Sequence, residues 1–176
     1  MEKQIEKVIE QVIDIAGKKH ATADVIVDMN SSFTLKAEQQ TLEEYKVSSS
    51  RVLGVRVIKD QKIGTSYCES IDTDALNLMV DTALQNARYS ESDPCQEICA
   101  ESGRVVTDSL KIYKQDDTEV KDKIDLCLHL EKAVVDVPYA KSAPYNSVGE
   151  LEIQKYIANT SGTMCFEKQK VFYCAA

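Results

Sequence analysis

Residues 51–88 carry the pattern that decides the fold. They read Arg51-Val52-Leu53-Gly54-Val55-Arg56-Val57-Ile58, a polar turn Lys59-Asp60-Gln61-Lys62, Ile63-Gly64-Thr65-Ser66-Tyr67, and then Asp72-Thr73-Asp74-Ala75-Leu76 opening a stretch that ends at Arg88. Leu53, Val55 and Val57 alternate with Gly54 and Arg56, the period of a strand with one buried face. Ile63, Thr65 and Tyr67 repeat that period after the turn, so the two runs form an antiparallel pair. Leu76, Val80, Ala83, Leu84 and Ala87 then share one face of a helix, for which Asp72 or Thr73 is the expected cap. Two strands followed by a helix, all within 40 residues, predict an α+β domain.

The flanks extend the pattern. Ile5, Val8, Ile9, Val12, Ile13 and Ala16 recur at helical spacing, and Gly17 is the expected stop. Val25, Val27 and Met29 alternate in a first strand. Asn30-Ser31-Ser32 reads as a turn, and Phe33 and Leu35 as a second strand. Glu38-Gln39-Gln40-Thr41 turns the chain into a third strand at Tyr45 and Val47, and Ser48-Ser49-Ser50 links it to the Leu53 strand. The expected sheet is thus an antiparallel meander of about five strands flanked by helices. Residues 89–113 show no clear period, and Asp93-Pro94 breaks them. Thr118 is placed to cap a third helix with Val120, Ile124, Cys127, Leu128 and Val134 on one stripe, ended by Val137-Pro138. Leu151 and Ile153 begin a late strand, Asn159-Thr160-Ser161-Gly162 a hairpin turn, and residues 164–174 its return. The expected division is an N-terminal α+β domain over 1–115 and a helix and hairpin over 116–176 that begin a further sheet. The apolar ending Val171-Phe172-Tyr173-Cys174 reads like mid-strand, which suggests that sequence normally continues.

Composition narrows the function classes. At 176 residues the chain suits one domain or slightly more. Its net charge of -8 argues against a broad nucleic-acid or anionic-membrane surface, which needs clustered Lys and Arg. Lys18-Lys19-His20 is the densest basic run, and it follows a helix whose C-terminal carbonyls favour cations. No apolar run reaches the 18 or so residues of a membrane span. The polar start lacks the apolar core of a signal peptide, so a cytoplasmic location is expected. The six cysteines then read as reduced thiols.

Candidate chemistry is sparse. Cys95, Cys99, Cys127 and His129 could supply four soft metal ligands, but structural zinc sites use tighter spacings such as paired C-x2-C, and Cys127 falls on the apolar stripe of a helix. Independent thiols explain them better. Only His20 and His129 could serve a nucleophile as base, and no motif links either to one. There is no G-x-S-x-G and no H-E-x-x-H. The acidic pairs Glu43-Glu44, Asp116-Asp117 and Asp72/Asp74 sit at caps and turns, where carboxylates bind backbone N–H groups. Gly54 and Gly64 lie in strands, where close packing or bulges explain them. The residues therefore assign no catalytic, cofactor-binding or metal-binding position.

Leu53-Gly54-Val55-Arg56-Val57, Gly64-Thr65-Ser66, Ala83-Leu84-Gln85-Asn86-Ala87-Arg88-Tyr89 and Ser90-Glu91-Ser92-Asp93-Pro94-Cys95 together resemble the N-terminal domain of the TldD/PmbA family. The Ala-Arg-Tyr and Asp-Pro-Cys stretches are more similar to its PmbA (TldE) branch, and the resemblance covers essentially all 176 residues. It implies a longer protein with a C-terminal domain. It implies a cytoplasmic metallopeptidase complex with a TldD-like subunit, which trims peptides such as the microcin B17 leader and degrades labile proteins such as antitoxins. An older label ties the family to modulation of DNA gyrase. The resemblance places the metal, zinc or a similar divalent ion, on an H-E-x-x-x-H helix and a later cysteine of the TldD subunit. This sequence has no H-E-x-x-x-H, so no such residue transfers, and a non-catalytic scaffold is implied. The alternative is a self-contained binding or adaptor module with no peptidase partner.

Overall fold

The structure is a computed structural model that describes residues 2–98, 103–106 and 113–176. In chain order the elements are α1 (Glu2–Lys18), β1 (Thr22–Glu38), β2 (Thr41–Lys59), β3 (Lys62–Cys68), α2 (Thr73–Tyr89), β4 (Gly103–Val106), α3 (Val120–Val135), β5 (Ser147–Asn159) and β6 (Thr163–Ala175). The strands form one sheet in the order β3-β2-β1-β5-β6-β4. Two-residue turns reverse the chain from β1 to β2 and from β2 to β3. At both turns the central residues, Gln39 and Gln40 or Asp60 and Gln61, have positive φ. This is the twist-matched hairpin geometry. The β2–β3 register runs from Leu53 opposite Cys68 to Lys59 opposite Lys62. β5 runs against β1, since Ala23 bonds to Thr160 at one end and Ala37 to Asn146 at the other. β4 alone joins parallel, Gly103 beside Thr163 through Val106 beside Phe166.

The α+β class and the antiparallel sheet of five strands hold, with β4 added at the β6 edge. Three details differ from the reading of the sequence. Asn30-Ser31-Ser32 and Ser48-Ser49-Ser50 are not turns, so four expected short strands are two long ones, β1 and β2. Ser32 and Ser48 face each other with hydroxyl oxygens 2.7 Å apart, a cross-strand pair that replaces the expected breaks. The late hairpin β5–β6 lies within this sheet rather than opening a further one.

The chain divides into two compact units that alternate along the sequence. The first comprises Met1–Met29, Arg51–Thr107 and Gln154–Glu167; the second comprises Asn30–Ser50, Asp108–Ile153 and Lys168–Ala176. In the first unit Ile5, Ile9, Val12 and Ala16 of α1 pack with Val25, Val27, Leu53, Val55 and Val57 and with Leu76, Met79, Val80 and Ala83 of α2. Each fully buried aliphatic side chain contributes about 1.5–3 kcal/mol. α1 passes Gly17 and stops at His20, which takes the left-handed conformation with φ 54°. Gly64 is needed for contact: a Cβ there would sit 1.8 Å from the Ala83 carbonyl oxygen, so β3 touches the backbone of α2. The second unit has a smaller core of Leu35, Ala37, Cys127 and Val148, with Phe33, Ile124, Leu128 and Leu130 against it. Among the described residues no helix is long and apolar enough to cross a membrane.

Candidate functional site

A pocket of about 230 Å³ lies in the second unit, walled by the end of β1, the last turns of α3 and residues 141–144. Two buried polar side chains hold these walls in place. Asn146 is 1% exposed and completes the β-ladder by itself. Its Oδ1 accepts the Ala37 N–H at 2.9 Å, while its Nδ2 donates to the Ala37 carbonyl at 2.7 Å and to that of Ala143. Glu131, 4% exposed, projects from α3 into the β1–β2 turn. Its Oε1 accepts the Gln39 N–H at 2.7 Å, and its Oε2 accepts the Gln40 N–H at 2.8 Å and the Gln40 side-chain amide at 3.0 Å. A buried carboxylate is tolerated when N–H donors satisfy it in this way. Ala37, Val135, Ala143 and Pro144 supply the apolar part of the lining.

A second polar cluster in the same unit is structural in form. The Lys123 ammonium on α3 contacts Asp116 at 2.5 Å and also pairs with Glu150 of β5. Lys170 of β6 reaches the other Glu150 oxygen at 3.0 Å. Phe33 and Phe172 lie within 5.8 Å and 5.5 Å of the Lys123 nitrogen. Hydrogen bonds from Lys123 and then Thr118 hold the Asp116 carboxyl well below the usual carboxylate range. Burial works against the Lys123 ammonium, but Asp116 and Glu150 outweigh it and raise its pKa. Every charge here is answered by a neighbour, so the cluster ties the residues before α3 to the sheet.

The residues singled out in the sequence are dispersed. Cys95 is exposed after Asp93, whose Oδ1 accepts the Cys95 N–H at 2.9 Å. That bond, followed by one from Gln96, lowers the Asp93 pKa. Cys99 lies outside the described residues. Cys127 is buried in the smaller core, and burial pushes its thiol up. His129 is exposed on α3 with Nδ1 2.7 Å from the Asp125 carbonyl, and His20 is exposed beyond α1. Glu43 pairs with Lys36 at 2.6 Å, and Asp72 precedes α2 bonded to Ser70. Among the described residues no group of three His, Cys, Asp or Glu side chains is placed to hold a metal.

Residues 23–87, the segment from the first core strand to the end of α2, match the model of PmbA/TldA metallopeptidase domain 1. The match makes this segment similar to the first domain of the PmbA/TldA family. The chain is 25% identical over 136 residues to the "Metalloprotease PmbA homolog" of Haemophilus influenzae, covering 76% of this chain and 30% of that protein. It is 22% identical over 162 residues to the metalloprotease PmbA of Escherichia coli O157:H7, covering 91% of this chain and 32% of that one. The chain thus spans about a third of the length of these curated relatives. The same fold occurs in a candidate DNA gyrase modulator from Thermotoga maritima, with TM-score 0.70, 18% identity, and coverage of 94% of this chain and 37% of that one. It occurs also in TldE from Thermococcus kodakarensis, with TM-score 0.66, 13% identity, and coverage of 95% and 37%. The PmbA/TldE resemblance drawn from the sequence therefore stands, and the family is metalloprotease-related.

Asn146 and Glu131 were missed in the sequence. Asn146 acts on Ala37, 109 positions away, and Glu131 on Gln39, 92 away. The available signal was small: a Glu one turn from the end of an apolar helix stripe, and a turn of two Gln residues that need positive φ.

Proposed function

We propose that this chain is the N-terminal part of a PmbA/TldE-like, non-catalytic subunit of a TldD-type cytoplasmic metallopeptidase complex, forming scaffold and a wall of the peptide chamber. The observation that carries the reading is the match of residues 23–87 to the first domain of the PmbA/TldA metallopeptidases. The metal, zinc or a similar divalent ion, then belongs to a TldD-like partner. The substrates are peptides of the microcin-leader or antitoxin kind, and the subunit carries no nucleic-acid or membrane function.

Co-expression of the full-length protein bearing this chain with a TldD-type subunit tests the reading. The two are expected to co-purify, and unfolded peptides are expected to be cleaved only when both are present. Cleavage by this chain alone, abolished by a point substitution within it, would overturn the proposal. So would full activity of the TldD-type subunit without it.

A further inference from the structure

We propose that the pocket between the β1–β2 turn and residues 141–144 is a subsite for the last residue of a peptide, holding its apolar side chain in the pocket and its free carboxylate on Lys141. The inference rests on the peptide-handling role proposed above and names the ligand chemistry of one site within it.

Size is the first argument. The pocket, about 230 Å³, is smaller than the roughly 300–1,000 Å³ typical of sites for drug-sized ligands, so it suits one side chain rather than a cofactor. Preorganisation is the second. Asn146 pins Ala143 to Ala37, and Glu131 pins Gln39 and Gln40, so the walls stand before any ligand arrives. Charge is the third. Glu131 is saturated by N–H donors, and Lys36 is paired with Glu43 while Glu38 acts on that same pair. Lys141 is the exposed cation of the lining with no partner among the described residues. An apolar hollow whose lining includes one cation without a partner among the described residues is complementary to an apolar residue carrying a carboxylate. Tyr139 and Tyr145 stand on either side of this segment, 101% and 87% exposed, and Tyr139 is held at φ 73°. Exposed tyrosines beside a preformed hollow are the usual anchors of a recognition surface.

The test uses the full chain, isotopically labelled, titrated with the peptide acetyl-Ala-Ala-Leu as free acid and as amide. A third arm is acetyl-Ala-Asp-Ala-amide, whose carboxylate is on a side chain. The free acid is expected to shift the Ala37 and Ala143 amide signals and to bind up to about fivefold more tightly than either other peptide, the most that one exposed ion pair supplies. Lys141→Glu is expected to erase the acid–amide difference. Val135→Trp, which enters the pocket from an exposed position, is expected to weaken both. Equal affinity for acid and amide, preference for the Asp peptide, or unmoved pocket signals would each overturn the subsite. If the co-expressed complex cleaves peptides while these signals stay unmoved, the subsite falls and the subunit role stands. If binding is acid-specific while the complex shows no activity, the subsite stands and the subunit role falls.

Discussion

Val55 and Arg56 are neighbours in β2 with opposite fates. Val55 is 3% exposed in the main core, whereas Arg56 turns outward and pairs with Asp24. Val55→Asp would bury a carboxylate without a partner, at a cost of several kcal/mol against a total stability of about 5–15 kcal/mol. It is expected to abolish cooperative thermal unfolding, while Arg56→Ala loses an outward ion pair worth about 0–1 kcal/mol and shifts the midpoint little. Equal midpoints for Val55→Asp and wild type would show the facing to be wrong. Asp116 makes a pH prediction. Its folded pKa lies below the usual carboxylate value of about 3.9, so the unfolded chain binds more protons and stability rises with pH. Its contribution is present above about pH 4 and is lost as pH falls through the folded value. Thermal melts below about pH 4 are therefore expected to decline less steeply in Asp116→Asn than in wild type. Identical slopes would mean that this carboxylate is not preferentially bound in the fold. Val55 was legible because its period names its face. Asp116 was not, because its partner Lys123 lies in α3, where it also answers Glu150 of β5.

At the scale of elements, the amphipathic helices α1 and α2 and the β2–β3 hairpin were readable because hydrophobic period and turn chemistry agree. The serine runs misled for a local reason. Ser and Asn bond to nearby backbone in isolation and so signal turns, but in β1 and β2 the cross-strand partner is already in place. Likewise His20, not Gly17, ends α1 with a positive φ. The turn Asp60-Gln61 holds two non-glycine residues at φ 53° and 61°. Asn-Gly is the pair this turn type prefers, so replacing Asp60-Gln61 with Asn-Gly is expected to relieve left-handed backbone strain of about 1 kcal/mol, read as a higher urea midpoint. The Gln61 carbonyl that accepts the Asp93 N–H at 2.9 Å is kept in that variant. A lower midpoint would mean that the Gln61 side chain, which accepts the Ser92 hydroxyl at 3.3 Å, matters more than the turn.

For the whole molecule, the loose sequence spacing of Cys95, Cys99, Cys127 and His129 predicts that purified protein carries far less than one zinc per chain. Elemental analysis checks this, and stoichiometric zinc lost in Cys95→Ser would contradict it. The α+β class, the buried face of each core strand, two of the tight turns and the PmbA/TldE resemblance could all be derived from sequence alone, because each rests on residues within a turn or a strand of one another. Strand order could not. Nothing local says that β5, more than 100 residues after β1, enters the sheet beside it, or that the two compact units are interleaved along the chain. That pairing depends on long-range backbone hydrogen bonds, whose donors and acceptors are the same in every residue and carry no sequence signature. The pocket follows from the same pairing: Asn146 and Glu131 are ordinary polar residues until the tertiary fold brings Ala37 and the Gln39-Gln40 turn within reach of them.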